Sequence, residues 1–107
     1  MTRRAMNQSE YQAMVEALWA RVAGEKHWRR DAVTGLISVG AYDELFHEFA
    51  AEFRVDPTGA FGGGYVIRDL HPIAYVRSVK DVIVVAEVLL AAKLQERRVR
   101  KGGVVRG

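Results

Sequence analysis

Between Tyr42 and Asp56, apolar residues stand at Tyr42, Leu45, Phe46, Phe49, Ala50 and Phe53, the spacing i, i+3, i+4, i+7, i+8, i+11. One face of an α-helix about three turns long repeats in this way. Asp43, Glu44, Glu48 and Glu52, with His47, fall between these positions. The segment therefore reads as a helix with an aromatic inner stripe and an acidic outer face, on a chain whose formal net charge is +3. Asp43 and Glu44 would complement the positive end of its dipole. Asp56-Pro57 would stop it, because the residue before a proline is driven out of helical backbone.

Two further segments carry helical signals. Tyr11, Met14, Val15, Leu18, Trp19 and Val22 repeat the same stripe, which predicts a helix from about Ser9 to Ala23. Ser9 and Gln12 make a capping-box pattern at its start, and Gly24 provides a stop. The last helix opens at Ser78, with Asp81 as its N-cap partner, and persists to about Arg98. It is apolar nearly all round from Val82 to Ala92, so other elements must cover it. The valine content leaves a central strand as the alternative for Val82 to Val85. Glu25 to Gly40 reads as a long connection in which Val33, Leu36, Ile37 and Val39 tuck under the helices, a short strand being an option there. Tyr65 to Tyr75 would hold a short helix or a strand near Val66 and Ile67, ended by His71-Pro72. The fold class expected is mostly α: a small single-domain helical bundle over residues 8–96, flanked by flexible basic tails at 1–7 and 97–107.

Composition narrows the function classes. With 107 residues there is room for one domain and a real core. The chain has no cysteine, which removes disulfides, thiolate metal ligands and thiol nucleophiles, and fits a cytoplasmic location. Met1 to Glu10 is polar and lacks the apolar run of a secretory signal. The longest apolar run, Val82 to Ala92, is well short of the ~20 residues a bilayer span needs. Of the sixteen basic residues, Arg3, Arg4, Arg97, Arg98, Arg100, Lys101 and Arg106 are terminal, so the body is acidic on balance. The excess positive charge belongs to the tails, which weakens a nucleic-acid reading based on isoelectric point alone.

The chemical motifs are sparse. Glu44-x-x-His47 has the spacing of half a carboxylate-bridged metal site, but no second copy accompanies it, and no metal is expected. His27 and His71 have no partners in sequence, and there is no nucleophile elbow. Phe61-Gly-Gly-Gly-Tyr65 lacks the Lys-Ser/Thr of a phosphate-binding loop and reads as a connection. No enzyme activity and no cofactor are expected. Arg97, Arg98, Arg100 and Lys101 could meet nucleic acid through charge alone, or could complement a helix C-terminus.

Ala-Glu-Phe-Arg-Val-Asp at Ala51 to Asp56, followed after an irregular loop by Ser-Val-Lys-Asp-Val-Ile at Ser78 to Ile83, resembles the acyl carrier protein family, in particular its divergent bacterial relatives. The resemblance covers about Gln8 to Leu94. It implies a four-helix bundle, with Tyr65 to Tyr75 as the short third helix and the acidic second helix as the surface that meets a basic patch on a protein partner. It also implies an attachment serine at the start of that helix. Val39 stands there instead, and Ser38, one residue early, follows Ile37 where an aspartate belongs. Only a displaced phosphopantetheine site at Ser38 would rescue carriage. The function expected is a non-catalytic adaptor docking through Asp43, Glu44, Glu48 and Glu52. The alternative is a small nucleic-acid-binding or regulatory protein using its Arg/Lys-rich tails.

Overall fold

The computed structural model describes residues 6–106, side chains excepted at Phe61 and 98–106. Five antiparallel strands follow one another as a meander: β1 Trp28–Arg30, β2 Ile37–Asp43, β3 Glu48–Thr58, β4 Gly64–Arg68 and β5 Pro72–Val76, hydrogen-bonded in that order. Helices α1, Gln8–Val22, and α2, Val79–Arg106, precede and follow the sheet. The expected mostly α bundle is thus replaced by a helix-backed sheet, and two of its helices do not exist.

The second expected helix is the β2–β3 hairpin. Ile37, Val39, Ala51, Phe53 and Val55 are buried at alternating positions, while Glu52 and Arg54 between them are exposed. A period of two beats the helical stripe because it buries the β-branched residues on both sides of the segment against one core. The helical stripe itself is cut by a turn: Leu45 and Phe46 sit in it, exposed. The expected third helix is β4 and β5. Val66, Ile67 and Val76 are in strands, and His71-Pro72 marks the turn between them, where Asp69 Oδ1 accepts the His71 amide at 3.1 Å.

The flanking helices lie where the spacing puts them. The box that opens α1 is Asn7 with Glu10, two residues before the expected one: Asn7 Oδ1 accepts the Glu10 amide at 2.9 Å, and its Nδ2 donates to Glu10 Oε1 at 2.8 Å. Gly24, at φ 85°, follows the C-terminus. Ser78 Oγ accepts the Asp81 amide at 3.0 Å and caps α2, so Val82–Val85 is helix and not strand. Helical backbone continues through Arg106, past the expected end at Arg98.

Both helices cover one face of the sheet. Val15, Leu18 and Val22 of α1 and Val82, Ala86 and Leu90 of α2 meet Trp28, Ile37, Val39, Phe53, Val55, Tyr65 and Ile67 in one buried cluster. Buried polar groups on this side are bonded: Tyr65 Oη donates to the Met14 carbonyl at 2.8 Å, and Trp28 Nε1 to Glu87 Oε1 at 3.4 Å. Val33, expected to tuck beneath the helices, is almost fully exposed in the β1–β2 turn. The opposite face of the sheet has no helix over it among the described residues.

Candidate functional site

The β2–β3 hairpin reaches past the neighbouring strands. β1 pairs only with Ile37–Val39, and β4 only with Arg54–Thr58, so Tyr42–Phe49 stands clear of both. At its tip Leu45 is 80% exposed and Phe46 54%. Such residues cost about 1.5–3 kcal/mol of unrealised burial each when left in water.

The ribbon below the tip is braced on both sides. On the open face, the Tyr42 and Phe49 rings meet edge to face, centroids 5.2 Å apart, and the Arg29 guanidinium lies 4.0 Å from the Phe49 centroid. Edge-to-face rings and a cation over a ring face are both attractive, through the ring quadrupole. On the helix side, Arg97 Nη2 donates to Glu48 Oε1 at 3.0 Å and lies 3.7 Å from Asp43 Oδ2. Within the turn, Asp43 Oδ1 accepts the Leu45 amide at 3.0 Å, and His47 takes φ 54°, the left-handed region that closes the turn without a glycine.

The four carboxylates expected on one helical face are therefore divided. Asp43 and Glu48 turn toward α2 and bind Arg97. Glu44 is exposed in the turn. Glu52 is on the open face of the sheet. Glu44 and His47 stand at either end of a tight turn, so the helical-face argument for a metal pair does not apply. Arg97, expected in a nucleic-acid-contacting tail, is held by the hairpin; the side chains of Arg98, Arg100 and Lys101, and Arg3 and Arg4, lie outside the described residues.

A second feature lies on the open face. Strand register sets Arg29, Ser38, Arg54 and Arg68 in one row across β1 to β4. Ser38, the displaced attachment candidate, is thus the second residue of β2, paired with β1 and β3 and away from any helix start. A groove of about 530 Å³ runs over Ser38, Arg54 and Arg68, with Glu52 beside them and Asp31 and Asp69 at its ends. Like charges directly opposite on neighbouring strands repel. Here Asp56 offsets the pair: Arg54 Nε donates to its Oδ2 at 2.9 Å, while Asp56 Oδ1 is buried without a hydrogen-bond partner among the described residues. Asp31 and Asp69 are committed to backbone amides at the turns, which holds both carboxyl groups below the usual aspartate range. With both signs present, the groove has no strong preference for anions. This row was invisible in sequence, since its members are brought together only by register.

No family model, curated protein or solved structure matches this chain. The helical bundle implied by the acyl-carrier resemblance is overturned by the sheet. Among the described residues, no helix is long and apolar enough to cross a membrane.

Proposed function

We propose that this protein is a non-catalytic interaction protein that docks through its β2–β3 hairpin onto a protein partner bearing an apolar pocket with a basic rim. The single observation that carries the reading is the exposure of Leu45 and Phe46 at the end of a braced ribbon. Paired apolar anchors on a preordered element suit hot-spot binding, because little conformational entropy is lost on association. Glu44, exposed in the same turn, puts negative charge beside those anchors, which favours a basic partner and acts on the association rate more than on the affinity. This reading moves docking from the four-carboxylate helical face expected in sequence to the exposed apolar tip of the hairpin.

Affinity capture from lysate, quantified by mass spectrometry, tests this. Proteins retained by the wild type should be lost with Leu45→Asp/Phe46→Asp and reduced with Glu44→Lys. They should be unchanged with Val33→Asp, an exposed residue in the β1–β2 turn. Equal capture by all four chains, each with the same circular dichroism, would reject the hairpin as the docking element.

A further inference from the structure

Two opposite charges in the open-face groove are left over. Arg68 and Glu52 both line it, and neither forms a salt bridge with another described residue. Glu52 stands two residues from Arg54, the cross-strand partner of Arg68. Arg68 and Glu52 are therefore diagonal neighbours, within reach of each other as long side chains, and still do not pair. Arg54 is held in place by Asp56, whose Oδ2 accepts its Nε at 2.9 Å. That contact offsets one guanidinium of the opposed pair and leaves Arg68 with its charge.

The balance of charge tells against a simple ion. Arg54 and Arg68 would repel a cation. Glu52, with Asp31 and Asp69 at the ends, would repel an anion. A ligand carrying both signs meets both leftover charges at once. The groove also has an apolar wall. Leu70, two residues after Arg68, lines it and is 87% exposed, so apolar surface seated there would leave water. Its volume of about 530 Å³ falls within the ~300–1,000 Å³ usual for small-ligand sites.

We propose that this groove binds a free α-amino acid with an apolar side chain. The carboxylate lies between Arg54 and Arg68, where it relieves the repulsion of like charges on opposed strands. Ser38, in the same row, offers it a hydroxyl. The ammonium meets Glu52, and the side chain covers Leu70. A residue inside a peptide has neither backbone charge and a chain terminus has only one, so the groove selects the free amino acid. The site does not involve the hairpin tip and stands whether or not the tip docks a partner.

Amide chemical-shift titration of the full chain with L-leucine tests the proposal. Saturable shifts are expected at Ser38, Glu52, Arg54, Arg68 and Leu70, and none at Leu45 or Phe46. N-acetyl-leucine, which lacks the ammonium, and leucinamide, which lacks the carboxylate, should each bind roughly tenfold or more weakly, the scale of one charge-assisted hydrogen bond. Arg68→Gln and Glu52→Gln should weaken leucine binding to a similar degree, while Leu45→Asp/Phe46→Asp should leave it unchanged. The analogues are titrated into the wild-type chain, so a variant that fails to fold does not decide the outcome. No saturable shift with leucine overturns the proposal. So does equal binding of N-acetyl-leucine, which would mark a plain anion site, or of leucinamide, which would mark a cation site. Glycine bound as tightly as leucine would overturn the apolar contact at Leu70.

Discussion

Leu18 is fully buried, in the cluster that joins α1 to the sheet and α2. Leu18→Ala is expected to cost about 2–5 kcal/mol, by lost transfer energy and the cavity left behind, read by urea denaturation. Gly64 carries a constraint of another kind. Its φ is 126°, and a Cβ there would stand 2.6 Å from the Val76 carbonyl oxygen, inside the backbone of β5. Gly64→Ala must therefore strain the turn into β4 or push β5 away; a stability loss larger than the ~1 kcal/mol typical of point substitutions is expected from the same denaturation series. Neither residue identity announces its role in sequence: Leu18 fits a helical stripe, but Gly64 reads only as one glycine among three.

Among the elements, α1 and α2 were legible in place but not in their ends. Spacing with Gly24 marked α1, although its cap is two residues earlier than expected. Ser78 with Asp81 marked the start of α2, although it runs on through Gly102 and Gly103. The β2–β3 hairpin was not legible. Alanine and glutamate favour helix, and Leu45, Phe46 and Phe49 complete a helical stripe that the structure never uses as one. The true signal was shorter, the alternation of Ala51, Phe53 and Val55 opposite Ile37 and Val39, and its turn is closed by Asp43 and a left-handed His47 with no glycine to mark it. The candidate site followed the same division. Its acidic residues were in view, but Leu45 and Phe46 read as part of an inner stripe and are exposed at the tip, and Arg29, Arg54 and Arg68 meet only through register. Two outcomes belong at this scale. Arg29→Ala and Phe49→Ala, with their double variant, should give a coupling of about 0.5–1 kcal/mol in a double-mutant cycle, which measures the brace on the open face. The turns at Asp31 and Asp69 should loosen in acid. Both carboxyls sit below their ordinary value of 3.8 in the folded chain. The unfolded chain therefore binds protons first as pH falls, so the contribution is complete above about pH 5 and is lost as pH drops below about 4. Amide exchange at Val33, Thr34 and His71 should accelerate, relative to a strand reference such as Ile67, across that window and not above it.

As a whole molecule the chain is elongated, 56 × 31 × 22 Å, with a radius of gyration of 15.7 Å against about 13 Å for a compact chain of this length. The 28-residue α2 accounts for this, being about 42 Å long and outrunning the sheet it covers. One buried cluster nevertheless joins both helices to four of the strands. Unfolding should consequently be cooperative: fluorescence from Trp19 in α1 and Trp28 in β1 should share a midpoint with far-ultraviolet circular dichroism. The docking proposal depends on whether the acidic, aromatic segment is a hairpin in solution, and nuclear Overhauser contacts decide that. Cross-strand contacts are expected between Ala41 and Ala51, Val39 and Phe53, and Ser38 and Arg54. Helical i to i+3 contacts running from Tyr42 to Phe53, with the cross-strand set missing, would contradict the hairpin and remove the ground for docking through Leu45 and Phe46.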